Sequence, residues 1–195
     1  MSWNGYEYNV LLRNEGQDSN GTLQLIDVAM QVGADDIKDA RGVAIADFDN
    51  DGDLDIAINN HPGDLVERPE HASATLLRND IGNRRNWLAV ELEGTLSNRD
   101  GVGAAVKING GGISQMRHVS AGSSSSSQNS ARLYFGLDDL PQVQTMTLHW
   151  PSGKIESFEN IRANQLVRIT EGKGIERLTL PGQPTQTAGH SPHEL

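Results

Sequence analysis

Apolar and polar residues alternate with a period of two through much of the chain. In Trp87-Leu-Ala-Val-Glu-Leu-Glu93 the alternation places Leu88, Val90 and Leu92 on one face. Val102-Gly-Ala-Ala-Val-Lys-Ile108 groups Val102, Ala104, Val106 and Ile108, and Met146-Thr-Leu-His-Trp150 groups Met146, Leu148 and Trp150. Side chains of an extended strand point to opposite faces in turn, so these runs predict half-buried β-strands. Turn formers separate them: Asn109-Gly-Gly-Gly112, Asp138-Asp139 and Pro151-Ser-Gly153. No window of a dozen residues carries a 3.6-residue apolar stripe, so helix is at most a minor component. The expected fold class is all-β.

A 195-residue chain with 36% hydrophobic residues, 5% aromatics and 21 glycines fits short strands joined by tight turns. It is long enough for one large domain or two small ones. No apolar stretch of about 18 residues is present, so no membrane-spanning helix is expected. The start, Met1 to Tyr8, has neither the basic nor the apolar segment of a secretory signal, which points to a cytoplasmic chain or a piece of a longer precursor. With no cysteine there is no disulfide, thiolate chemistry or Cys-ligated zinc.

The net charge of −10 opposes binding to a phosphate backbone. It is also unevenly placed: residues 1–80 hold 16 acids and 5 Lys/Arg, net −11, against 10 acids and 11 Lys/Arg, net +1, in residues 81–195. A local excess of carboxylates demands an explanation, such as bound cations, more than a diffuse one would. The excess peaks in Arg41-Gly-Val-Ala-Ile-Ala-Asp-Phe-Asp-Asn-Asp-Gly-Asp-Leu-Asp-Ile-Ala-Ile-Asn-Asn60, with aspartates at 47, 49, 51, 53 and 55. A hard divalent ion relieves their repulsion, and calcium accepts about 6–8 oxygens in a flexible shell, whereas magnesium demands a rigid octahedron. Gly52 lets the backbone wrap so that Asp47, Asp49 and Asp51 converge. Asp53 is expected to give its backbone carbonyl and Asp55 a carboxylate. An EF-hand would need Glu at position 12 and flanking helices, but that position is Ile58 and both flanks alternate as strands. The expectation is a calcium loop within a β-hairpin.

One internal echo stands out. Leu11-Leu-Arg-Asn-Glu15 returns 65 residues later as Leu76-Leu-Arg-Asn-Asp80, a spacing near that of a propeller blade. A lone blade leaves a sheet edge open, which predicts a homodimer through that edge or cover from the second domain. The five-serine run Ser123–Ser127 reads as a mobile loop, and Glu176–Leu195, rich in Pro, Gly, Thr and Gln, reads as a tail in which His190 and His193 are solvated.

Asp47-Phe-Asp-Asn-Asp-Gly-Asp-Leu-Asp55 with its strand flanks resembles the FG-GAP/VCBS repeat, the calcium-bearing blade of integrin-type β-propellers. Asn86-Trp-Leu88, Ser97-Asn-Arg-Asp-Gly-Val-Gly-Ala104, Leu133-Tyr-Phe-Gly-Leu137, Trp150-Pro-Ser-Gly153 and Ala163-Asn-Gln165 resemble the ASPIC/UnbV domain of the cartilage acidic protein family and its bacterial relatives. The resemblance implies a partial β-propeller-like calcium blade over residues 1–82, a small β-sandwich-like ASPIC/UnbV domain over 83–172, and a disordered tail over 173–195. It implies a non-catalytic adhesion or interaction module, extracellular or periplasmic, that recognises a protein or glycan. It also admits an accessory or catalytic part in natural-product biosynthesis, and a purely structural place in a larger secreted polypeptide. Ligand roles carry over only to the aspartates of the loop.

Other candidates are weaker. Asn98 and Asp100 could serve a second cation, but a hairpin turn held by Asx hydrogen bonds is the expected role. Asp27, Asp35, Asp36 and Asp39 read as solvated acids. The sequence holds no His-Glu-x-x-His, Gly-x-Ser-x-Gly or Walker motif, and Gly110-Gly-Gly112 lacks the Lys-Ser/Thr of a phosphate loop.

Overall fold

A computed structural model describes residues 7–61 and 73–179. The alternating runs become strands, thirteen among the described residues, with one short helix, Ala29–Val32, and a 3-10 turn at Gly82–Arg84. Eight strands form the C-terminal part: β6 (Asn86–Glu93), β7 (Ala105–Gly110), β8 (Ile113–His118), β9 (Leu133–Asp138), β10 (Gln142–His149), β11 (Ile155–Arg162), β12 (Gln165–Thr170) and β13 (Gly174–Leu178). They make two four-stranded sheets, ordered β11-β10-β7-β8 and β13-β12-β6-β9. Every pairing between them is antiparallel except β12 with β6.

The alternation read from the sequence sets which face is inside. Leu88 and Val90 of β6 and Phe135 of β9 are fully buried on one sheet, and Val106, Met146 and Leu148 on the other; all six belong to one core. Burying each such side chain stabilises the sandwich by about 1.5–3 kcal/mol, offset by ordering entropy. The opposite face of β6 is also apolar: Trp87 and Ala89 cluster with Leu166 of β12, flanked by Tyr134 and Leu178. The strand β13 corrects the expected tail from residue 173, because Gly174–Leu178 pairs with β12, matching Ile175 to Ile169 and Leu178 to Leu166. Its Ile-Glu-Arg-Leu pattern is too irregular to announce a strand, and the open edge of β12 supplies the template. Residues 180–195, with His190 and His193, lie outside the described residues.

One end of the sandwich is tied by a buried carboxylate. Glu171, only 2% exposed, accepts the backbone N–H groups of Thr95, Leu96 and Ser97 at 2.9, 2.8 and 2.7 Å. The hydroxyls of Ser97 and Ser152 donate to its other oxygen at 3.1 and 2.5 Å. Burial pushes its pKa up, but these donors outweigh burial and hold the group at about 2. A depressed carboxylate contributes stability above its unfolded value of 4.5, and loses it as pH falls through about 2. The gap in urea midpoint between wild type and Glu171→Gln should therefore be constant above about pH 5 and close towards pH 2. A gap unchanged at pH 2 would disprove the nest's role. Nearby, Asn98 accepts the Val102 N–H at 2.8 Å and donates to the Val102 carbonyl at 2.8 Å, so its side chain holds the turn by hydrogen bonds as expected.

The remaining strands are β1 (Leu12–Gln17) with β2 (Leu23–Asp27), and β3 (Ala40–Ala46), β4 (Asp55–Asn60) and β5 (Thr75–Leu77). They form a two-stranded hairpin and a separate three-stranded sheet ordered β3-β4-β5. The compact units are discontinuous in sequence: one comprises residues 1–45, 56–78 and 122–129, the other 46–55, 79–121 and 130–195. Segment 122–129, which contains the serine run, lies along β3. Ser127 donates to the Val43 carbonyl at 2.6 Å, and Asn129 accepts the Ile45 N–H at 3.0 Å. Groups two apart on an edge strand point the same way, so side chains here take the place of a neighbouring strand. In the same unit Asp36 pairs with Lys38 at 3.1 Å and Asp39 with Arg41 at 2.6 Å, while Asp27 accepts the Leu11 and Ala29 N–H groups.

Candidate metal centre

The aspartate loop joins β3 to β4, but its residues 46–55 belong to the sandwich unit. Two left-handed residues, Asn50 at φ 60° and Gly52 at φ 106°, turn the chain inside the loop. Gly52 lies against the Trp87 indole so closely that a Cβ would come within 2.2 Å of the ring. The apolar outer face of β6 is the floor on which the loop rests.

Hydrogen bonds then orient the carboxylates. Asp47, 8% exposed, accepts the N–H groups of Asp51 and Gly52 at 3.0 and 3.1 Å, and the Tyr134 hydroxyl donates to it at 3.1 Å. Asp55, 1% exposed, accepts from Phe48 N at 2.9 Å and Asn79 N at 2.8 Å. Asp51 accepts the Asp53 N–H at 3.1 Å and the Asn83 side-chain amide at 2.8 Å. Asp53 accepts the Asn83 N–H at 3.1 Å on one oxygen, while its other oxygen is buried without a partner. Just before β9, Arg132 donates to Asn50 at 3.5 Å and to the Tyr134 hydroxyl at 3.2 Å.

Of the five aspartates, Asp47, Asp49 and Asp55 bring one carboxylate oxygen each within 4.8 Å of one another, a spacing that a single cation can bridge. They form the one acidic group of this kind among the described residues, and neither Asp100 nor Asp27, Asp35, Asp36 or Asp39 joins it. Asp51 turns towards Asn83 instead. The electrostatics are those of carboxylates held against repulsion. Burial raises the Asp47 pKa, with hydrogen bonds from Tyr134, Gly52 and Asp51 opposing it. Burial pushes Asp53 up to about 6, and the charges of Asp51, Asp55 and Asp47 add to the rise. The donor set fits a hard divalent ion: carboxylate oxygens only, no sulfur or imidazole, and a buried oxygen of Asp53 lacking a hydrogen bond.

Sequence reasoning did not single out the residues that hold the loop. Asn79 was visible only as part of the echo Leu76–Asp80, and Tyr134 only within the ASPIC/UnbV-like run Leu133–Leu137. Nothing local marks Asn83 or Arg132.

Residues 94–176 match the family model of ASPIC and UnbV. The match covers the sandwich from the end of β6 into β13 and does not extend to the aspartate loop. No curated protein matches the chain.

Proposed function

We propose that this protein is a calcium-binding, non-catalytic interaction module that acts outside the cytoplasm on a protein or glycan partner. The observation that carries the calcium assignment is the convergence of Asp47, Asp49 and Asp55 on a spacing one ion can bridge. The ion would stabilise the loop by neutralising carboxylates that burial and mutual repulsion now disfavour. Asp51 and Asp53 are the further loop residues whose oxygens could complete the shell, Asp53 by its carbonyl or by its unpartnered oxygen. The interaction role is supported by the similarity of residues 94–176 to ASPIC and UnbV. Exposed apolar side chains on the β1–β2 hairpin also support it, with Leu12, Leu23, Leu25 and Ile26 each about half exposed.

A site formed only in the folded chain couples ion binding to folding. At 100 times Kd, calcium stabilises the fold by about 2.7 kcal/mol, a shift of several degrees in Tm for a protein of this size. Thermal melts in EGTA and in millimolar calcium should therefore separate. Superimposable curves would refute the calcium reading. For the binding role, turnover on a panel of ester, glycoside and phosphate substrates that a single substitution outside the loop abolishes would refute the non-catalytic reading.

A further inference from the structure

Tyr134 is the point at which the sandwich reaches the aspartate loop. It stands opposite Ala89 of β6, and it packs against the cluster of Trp87, Ala89 and Leu166 on the outer face of the sheet. That packing fixes the ring and delivers its hydroxyl to Asp47, 3.1 Å from Oδ2. A hydroxyl has one proton and two lone pairs, so its use to a carboxylate depends on what occupies the lone pairs. Here Nη1 of Arg132 donates to the Tyr134 oxygen at 3.2 Å, which leaves the proton for Asp47. Asp47 also accepts the Asp51 N–H on Oδ1 and the Gly52 N–H on Oδ2. Three donors thus orient this carboxylate, two from the loop and one from the sandwich.

Arg132 is itself held from the far side. Its Nη2 lies 3.7 Å from Oε2 of Glu91 on β6. The other oxygen of Glu91 takes Nε and Nη2 of Arg168 on β12, at 3.0 and 2.7 Å. All of these residues belong to the same compact unit as the loop. Arg132 brings a positive charge up to a loop suited to a cation, and charge alone would oppose the ion. Any favourable contribution from Arg132 therefore passes through its hydrogen bonds. Asn50, one of its acceptors, is not among the three converging carboxylates, whereas the Tyr134 hydroxyl touches one of them directly.

We propose that Tyr134 is a positioning residue for the bound ion, its hydroxyl proton aimed at Asp47 by Arg132, which Glu91 anchors. The loop supplies the ligands, and the outer face of the sandwich sets the direction of one of them. Groups that hold a metal's ligands in this way are worth about 10–100-fold in affinity. The calcium half of this inference rests on the function proposed above; the holding of Asp47 does not.

Tyr134→Phe in the full chain keeps the ring and removes the hydroxyl, which separates positioning from packing. Calcium, titrated as the metal alone, should bind at least about tenfold more weakly to this variant than to wild type. In EGTA, where no ion takes part, amide hydrogen exchange at Asp51 and Gly52 should quicken at least about threefold, because their acceptor has lost its outer tether. Arg132→Met should cost calcium affinity at least about threefold more in the wild-type background than in the Tyr134→Phe background, since the loss of its Asn50 contact is common to both. Equal calcium affinity in wild type and Tyr134→Phe, or unchanged exchange at Asp51 and Gly52, overturns the proposal. Equal costs of Arg132→Met in the two backgrounds overturn the part given to Arg132. If wild type itself binds no calcium, the function proposed above fails, and the exchange result alone upholds or overturns the holding of Asp47. Should Tyr134→Phe not fold, exchange at Asp51 and Gly52 in Arg132→Met reads the same tether: quickened exchange upholds it and unchanged exchange overturns it.

Discussion

Replacing Asp49 by alanine should weaken calcium binding at least about 100-fold and, in the same protein, leave the calcium-free fold no less stable. The two halves of this result have opposite signs for one reason. Asp49 is exposed and no hydrogen bond fixes it among the described residues, yet its carboxylate lies within 4.8 Å of those of Asp47 and Asp55. At such a distance like charges repel by about 1 kcal/mol in water and by more where water is partly excluded. Removing the group therefore relieves strain when no ion is present. With the ion present it removes one of three converging anionic ligands, and a 100-fold loss corresponds to about 2.7 kcal/mol. Titration calorimetry and melts in EGTA and in calcium measure both halves. The same change at Asp55 would not discriminate, because that side chain also accepts the Phe48 and Asn79 N–H groups and its loss damages the apo fold. If Asp49→Ala binds calcium as wild type does, or melts markedly lower in EGTA, the site is wrongly placed.

The largest effect on folding is expected from Gly52→Ala. The φ of 106° lies where L side chains rarely go, and the new methyl would meet the Trp87 ring at 2.2 Å. Strain and overpacking together cost about 2–5 kcal/mol. The damage should be shared by both parts of the unit, since the loop must lift from the outer face of β6. Near-UV dichroism of the indoles and the urea midpoint should fall together, and calcium affinity with them. Trp87→Leu in the same chain relieves the contact but not the backbone, so the double variant should recover part of the loss. An alanine variant of unchanged midpoint would mean that the loop does not rest on Trp87.

Much of this molecule can be read from local pattern. The period-two runs at Trp87–Glu93 and Met146–Trp150 assign strand and face together, because one-sided burial permits only one register. The alternating aspartates and Gly52 likewise mark the loop, since their mutual repulsion and the need for a left-handed residue are local facts. The sequence was enough to distinguish the loop from an EF-hand.

Which carboxylates converge was decided by tertiary structure. Alternation treats Asp47, Asp49 and Asp51 alike, yet Asn83 draws Asp51 aside, and Phe48 and Asn79 fix Asp55. Tertiary structure also set the loop on the sandwich unit, through Trp87 and Tyr134, although its flanking strands run into the other unit. Likewise the serine run lies along the β3 edge, and Gly174–Leu178 completes a sheet. Apart from Phe48, the partners lie 24 or more residues away along the chain, or are open edges that only an assembled sheet presents. Periodicity along the chain carries the burial of a segment's own side chains. It holds no record of which distant donor or free edge the folded backbone brings beside them.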